Sequence, residues 1–344
     1  MPVYLNHNPP VGSEENCIHI GLINNMPDGA LEATERQFLK LLDSVAGRVD
    51  VRLSLYALPE VPRTDVGRHR IKRLYSSIGN LWDSELDALI VTGTEPRTPN
   101  LKDEPYWDTF ARVTDWAEQN THSTVWSCLA AHAAILYTDG ISRRRLHDKL
   151  FGVFECAPAS DNSLTAGASS RLSMPHSRWN DVAENELTAC GYDILTRSDD
   201  AGVDVFARQR NSLFVYFQGH PEYEANTLLL EYRREVGRYL KRERNTYPSM
   251  PSGYFDCDTA DALTAVQDRL LSKRGDASLA DFPTASMETK VANTWRSVGA
   301  CIYSNWLAYL CAQKGIAPEI TFELVCAPEG LVQSRRRSAS LVRE

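Results

Sequence analysis

Three residues in the chain have the types and order needed for nucleophilic acyl chemistry: Cys128, His220 and Glu222. Cys128 lies in "STVWSCLAAHAAIL", where a short apolar strand-like run passes into a small-residue helical start. A thiol at the first turn of a helix feels the positive end of the helix dipole, which favours the thiolate. The backbone N–H of the next residue, Leu129, is among the donors a helix leaves unused, and it points where an oxyanion would form on an attacked carbonyl. One such donor lowers an acyl-transfer barrier by about 3 kcal/mol. Taken alone, Cys128 reads sooner as a buried structural cysteine than as a nucleophile, since cysteine is among the residues most often buried. His220 and Glu222 alter that balance. They stand in "VYFQGHPEYE", just past another apolar run. A cysteine nucleophile needs a base, and the base needs a group that fixes its tautomer and stabilises its cation. On neighbouring strand ends the three residues would supply all of these roles.

The elements expected to position them follow from periodicity. "CIHIGLINNMP" reads as a buried strand ended by Asn-Asn and Pro27. In the next segment Leu31, Thr34, Phe38, Leu41, Leu42 and Val45 recur at helical spacing. "VDVRLSLY" alternates, the basic "RHRIKRLYSS" interrupts, and "ELDALIVTG" returns as a strand ending in Gly93. A helix is expected over about 106–119, ahead of the Cys128 segment, and strands at 191–197, 203–208 and 213–218. A long helical pattern follows in "YEANTLLLEYRREVGRYLKRE", then text that reads as irregular after about 244, then a last apolar helix in "NTWRSVGACIYSNWLAYLCAQ". Strands alternating with helices predict an α/β fold whose mostly parallel central sheet is covered on both faces. The three short strands before the long helix read as a small antiparallel addition. Ligands of such sheets collect beyond the carboxyl ends of the strands, which singles out "LIVTGTEPR", "VWSCLAAH" and "VYFQGHPEYE".

Composition bounds the function. The 344 residues, 43% hydrophobic, suffice for a sizeable core, and the net charge of −8 argues against a general nucleic-acid binder. There is no apolar run of 18 residues and no signal-peptide pattern, so no membrane role and a cytoplasmic location are expected. The eight cysteines include no CxxC pair, which argues against a zinc site or a disulfide scaffold. No metal is expected.

The order Cys, His, Glu and the "HPE" tail resemble the class I glutamine amidotransferase superfamily. Within it the chain is similar to the homoserine O-acyltransferase family, in its succinyl and acetyl forms. The resemblance covers about residues 17–313 and rests on "IGLINNMPDGALEATERQFLKLL", "LDALIVTG", "PYW", "KLFGVFE", "PHSR", "GHPEYEANTLLLEYRRE" and "WRSVGACIYSNWLAYL". It implies a flavodoxin-like three-layer sandwich with a C-terminal helix, as one domain over 17–315. An N-terminal arm (1–16), an insertion at about 258–290 and a basic, partly disordered tail (316–344) complete the expected organisation.

The implied activity moves an acyl group from a coenzyme A thioester to Cys128 and then to the hydroxyl of homoserine, in methionine biosynthesis. Succinyl-CoA or acetyl-CoA is the co-substrate, with no permanently bound cofactor. His220 would be the base, Glu222 its orienter, and Lys149, Ser177 and Arg234 would bind substrate. A homodimer is implied as well. The acyl group is expected to be read after "VTG", where acetyl users carry a glutamate and succinyl users a glycine. Here the gap-free position is Arg97, with Glu95 two residues earlier. Arg97 could pair with a succinyl carboxylate, so the charge favours succinyl; were Glu95 to face the pocket, acetyl would be favoured.

Coenzyme A phosphates would find cations in "RHRIKRLY" or at Arg296. Two departures from the family stand next to the nucleophile: Leu129 replaces a large aromatic and His132 a glutamine. A backbone donor survives the first change; His132 reads either as a packed histidine or as a second imidazole tuning the thiol. Competing readings are a serine-like acceptor, a glutaminase subunit and a catalytically silent binding module. The glutaminase pattern G-x-C-x-G is missing at Ser127, Leu129 and Ala130, and retention of all three reactive residues weighs against the silent module.

Overall fold

The apolar runs become strands buried on both faces, as a parallel sheet under two helical layers requires. A computed structural model describes residues 3–5, 16–47, 49–272 and 278–316. Its elements in chain order are β1 (Val3–Leu5), β2 (Cys17–Ile23), α1 (Asp28–Val45), β3 (Asp50–Tyr56), α2 (Asp65–Leu74), β4 (Ala88–Thr92), α3 (Trp107–Asn120), β5 (Ser123–Ser127) and α4 (Leu129–Asp139). The long strands β6 (Arg144–Pro158) and β7 (Leu172–Asp181) follow, then α5 (Glu184–Ala189), β8 (Asp193–Ser198), β9 (Gly202–Gln209) and β10 (Leu213–Phe217). The chain continues through α6 (Thr227–Leu240), α7 (Cys257–Ser272), α8 (Thr284–Glu288) and α9 (Arg296–Lys314).

The strands lie in the order β1-β3-β2-β4-β5-β10-β9-β8-β6-β7. From β1 to β10 every pairing is parallel. Beyond β10 every pairing is antiparallel. The expected α/β class and three-layer arrangement hold. One apolar layer joins α1 and α9 to the sheet through Phe38, Leu42, Trp306 and Leu307. The opposite layer joins α3 and α4 through Phe110, Ala131 and Ala134, with Trp126 of β5 beneath them. The alanines let α4 lie close to the strands.

Four findings depart from the expectations. The strand at 213–218, expected in the small antiparallel addition, is β10, which pairs in parallel with β5; the antiparallel part is instead β9 and β8 extended by the long β6 and β7. Residues 3–5, within the arm, pair as an edge strand with β3. "RHRIKRLYSS" is not an interruption but most of α2, whose N-cap Thr64 accepts a hydrogen bond from the Gly67 N–H. The stretch read as irregular contains α7, which presents Leu263, Val266 and Leu270 to Leu228, Leu229 and Tyr232 of α6. That spacing is helical, but with a low overall hydrophobicity it is hard to separate from loop text. The described part of the insertion therefore shares one apolar cluster with α6. Apart from Ile316, the C-terminal tail lies outside the described residues. Among the described residues no helix is long and apolar enough to cross a membrane.

Candidate functional site

β5 ends at Ser127 and α4 begins at Leu129, so the chain reverses direction at Cys128 alone. Cys128 takes φ 52°, ψ −110°, a conformation rare outside glycine. Strain of this kind persists only where its surroundings over-determine it. Here the Cys128 N–H donates to the Phe217 carbonyl at 2.7 Å, and the Cys128 carbonyl accepts from the Ala131 N–H at 3.0 Å. Gly93, at the end of β4, presses against the same turn: a Cβ there would stand 2.5 Å from Leu129 Cβ and 2.9 Å from Ala130 N. Only glycine permits that approach. Leu129 supplies the first N–H of the helix, a position whose donor has no acceptor within the helix.

Phe217 also ties the turn to the base, because three residues beyond it stands His220. The His220 N–H donates to the Pro175 carbonyl at 2.9 Å, and the preceding Gly219 N–H donates to Asp204 Oδ1 at 3.2 Å. His220 Nδ1 meets Glu222 Oε1 at 2.9 Å, and the Cys128 sulfur is close enough to the imidazole to act on its charge. With Nδ1 occupied, Nε2 is the ring nitrogen left for proton exchange with the thiol. Burial works against the imidazolium. The Glu222 carboxylate and the Cys128 sulfur outweigh it and hold His220 well above its ordinary value. The sequence-predicted triad is thus assembled in one place.

The Tyr223 ring stacks on His220 with centroids 4.2 Å apart. Its hydroxyl donates to Glu231 Oε1 at 2.7 Å, and its carbonyl accepts from Trp295 Nε1 at 2.8 Å and Asn293 Nδ2 at 3.0 Å. Glu231 gathers the expected substrate residues. Ser177 Oγ donates to its Oε2, Lys149 Nζ lies 3.5 Å from the same oxygen, and Arg234 stands one helical turn further along α6. Burial alone would raise the Glu231 carboxyl. The Lys149 and Arg234 cations, with the Ser177 and Tyr223 hydroxyls, reverse that and hold it below its usual value. Arg234 itself is largely exposed and touches Glu235 at 3.3 Å.

Reasoning from residues missed Glu231, since an acid inside "LEYRRE" looks like a solvated helix charge. Its spacing from Arg234 was the available signal: three positions apart, the two share a helix face.

The acyl-reading loop is anchored through its backbone. The N–H groups of Arg97 and Thr98 both donate to the buried Glu104 Oε1, each at 2.6 Å. The Arg97 side chain is exposed, and Glu95 is exposed as well, 3.9 Å from Arg238 of α6. Of the basic groups considered for phosphate, Arg70 is tied to Glu35, while Lys72, Arg73 and Arg296 are exposed.

One cluster has metal-ligating types: Cys156, His176 and Asp204, buried with ligand atoms within 4.8 Å of one another. Its groups already serve the protein. Asp204 accepts from Thr196 Oγ1 at 2.9 Å and from Gly219, and Arg178 Nε donates to His176 Nδ1 at 3.4 Å. The Arg178 guanidinium supplies the positive charge there. Burial pushes Asp204 up to about 6 and His176 well down, so the imidazole is neutral, and the Asp204 carboxyl braces Gly219 by accepting its N–H.

Relatives of known description share this chain's sequence across most of its length. A homoserine O-succinyltransferase of Rhodopseudomonas palustris is 48% identical over 305 residues, covering 89% of this chain and 92% of that protein. Another, of Methylorubrum extorquens, is 42% identical over 300 residues, covering 87% and 89%. A glutamine amidotransferase of Methylobacillus flagellatus aligns in structure with TM-score 0.48 and 14% identity, over 86% of this chain and 95% of that one. The family model described as homoserine O-succinyltransferase matches residues 5–316, and the chain belongs to that family.

Proposed function

We propose that this protein transfers a succinyl group from succinyl-CoA to the hydroxyl of L-homoserine, by way of a thioester on Cys128. The observation that carries the reading is the line from Cys128 through His220 to Glu222, with Glu231 and its cations one aromatic ring away. In the first half-reaction the Cys128 thiolate attacks the thioester carbonyl. The Leu129 N–H faces the oxygen on which charge develops. The coenzyme thiolate leaves and takes the proton from His220.

Acylation then changes the base. One of the two groups that hold the His220 proton is the Cys128 sulfur, and as a thioester it no longer carries charge. The imidazole is left neutral and hydrogen-bonded to Glu222, ready to accept the proton of the attacking hydroxyl. Collapse of the second tetrahedral species expels the Cys128 thiolate and restores the starting pair. Homoserine brings one ammonium and one carboxylate. Glu231 offers the complementary anion, and Lys149 and Arg234 the complementary cations, with Ser177 to orient the acceptor. Coenzyme A is a co-substrate in this scheme, and both substrates are small molecules.

The test is mass spectrometry of the protein after incubation with succinyl-CoA alone. A succinyl adduct on Cys128, discharged by homoserine, is expected; an unlabelled Cys128 removes the ping-pong reading. A parallel incubation with acetyl-CoA compares the donors. Glutamine should not be hydrolysed.

A further inference from the structure

His132 does not face the nucleophile one turn before it in α4. Its Nε2 meets Gln218 Oε1 at 2.9 Å, and both side chains are buried. Gln218 follows Phe217 directly and stands two residues before His220. Its amide orientation is fixed by its other contacts: Nε2 donates to the Val203 carbonyl at 2.6 Å and to Asp181 Oδ1 at 3.2 Å. The Oε1 atom must therefore accept, and His132 must carry its proton on Nε2. His132 Nδ1 is buried and has no hydrogen-bond partner. Burial pushes this imidazole down to about 4; the Gln218 contact and Asp181 raise it, while Arg178 and Arg143 add to the lowering. The ring is neutral at physiological pH.

We infer that His132 is a positioning residue, whose Nε2–H bond to Gln218 sets the distance between the Cys128 turn and the His220 strand end. Beyond the parallel ladder of β5 and β10, two links join the nucleophile's turn and helix to the base's segment: the backbone bond from Cys128 to Phe217, and this side-chain bond one turn deeper. The first fixes the turn at one point; the second stops α4 from pivoting about it. A glutamine at position 132 can donate the same hydrogen bond, so the chemistry of the link is an N–H donor of that reach. The inference rests on Cys128 and His220 being the reacting pair, which succinylation of Cys128 in the unaltered protein checks separately.

The experiment compares His132→Phe and His132→Gln with the parent. Steady-state kinetics and the pH dependence of Cys128 alkylation by iodoacetamide are the readouts, with circular dichroism to confirm folding. His132→Phe keeps the ring and removes the donor. It is expected to lower kcat by about 10–100-fold, the usual cost of a small misplacement of reacting groups. KM values should stay within about twofold because substrate binding is untouched, while the alkylation profile should move together with kcat, because those two report on the Cys128–His220 pair. His132→Gln is expected to restore kcat to within about threefold of the parent. A folded His132→Phe protein with parental kcat and alkylation profile overturns the inference, as does a folded His132→Gln protein as impaired as His132→Phe. Nitrogen-15 NMR of the unaltered protein reads the bond without any substitution. A neutral Nε2–H tautomer throughout about pH 5–8 is expected, and the other tautomer or a cation overturns it.

Discussion

The two walls of the site are built by different physics. The Cys128 wall stands on parallel strand ends and is held by backbone hydrogen bonds and close apolar packing: Phe217 to Cys128, Gly93 against Leu129, alanines against the sheet. The Glu231 wall joins the β6–β7 hairpin to α6 and is held by charge: one half-buried carboxylate between two cations and two hydroxyls. In the proposed reaction the first wall would fix a reacting atom and the second a substrate with two charges. Their separation means that damage to one half-reaction should be separable from damage to the other.

The largest effect should come from the first wall. Cys128→Ala removes the acyl carrier, so turnover is expected to drop by at least about 10⁴-fold. Folding should survive, since the thiol is only half-buried. Loss of all succinyl labelling, with an unchanged circular dichroism spectrum, is the check. The second wall should answer differently. Glu231→Gln removes the anion and leaves one oxygen to accept from a hydroxyl, the other hydroxyl having to accept from the amide NH2. It is expected to lower kcat/KM for homoserine by about 10–100-fold, as losing a charged hydrogen-bond partner does. Single-turnover labelling of Cys128 by succinyl-CoA should change little. If labelling and acceptor transfer fall together, the division between the walls is wrong.

The same division decided what was legible in the sequence. Strands of the parallel half are apolar runs with sharp ends, so the positions of Cys128, His220 and Glu222 relative to those ends could be read directly. The hairpin could not. β6 is exposed in part along both faces and its register against β7 shifts between Arg145 and Leu150, which erases the alternation that marks a strand. The buried face of β7 carries His176 and Arg178 beside Leu172 and Met174 and so does not read as apolar. Gly152 adds a local reason: at φ 149° it lets the Ser252 backbone approach, so this glycine is a crossing point rather than a strand end. Lys149 and Ser177 became visible through family motifs, not through periodicity. Glu231 was hidden because its burial is created by Lys149, Ser177 and Tyr223, which are distant or differently placed in sequence.

Between the walls lies His220, whose proton is shared by charge and by packing. Its raised value means that the folded state holds the proton more tightly than the unfolded chain does. The resulting stability is fully present below the unfolded value of about 6.5 and is lost as pH rises through the higher folded value. Glu222 is a main cause of that increase, so Glu222→Gln should reduce the alkaline loss. The urea midpoint of the parent should exceed that of Glu222→Gln most at about pH 6, and the gap should narrow steadily in alkaline buffer. A gap that widens with pH would show that Glu222 does not act through the imidazolium.

The smallest effect belongs to the loop beside both walls. Arg97 is exposed, so its attraction for a succinyl carboxylate is screened by water and is worth about 1 kcal/mol or less. Arg97→Glu replaces attraction by repulsion, and kcat/KM for succinyl-CoA is expected to drop by about fivefold to tenfold. Acetyl-CoA carries no such carboxylate and should be used as before. The loop itself should not move, because Glu104 holds it by the N–H groups of residues 97 and 98, which the substitution leaves in place. That anchoring gives the comparison its force. A selective loss would identify charge as the reader of the acyl group, whereas an equal loss with both donors would mean that Arg97 contributes only to the shape of the entrance, and that the acyl chain is read by the buried walls alone.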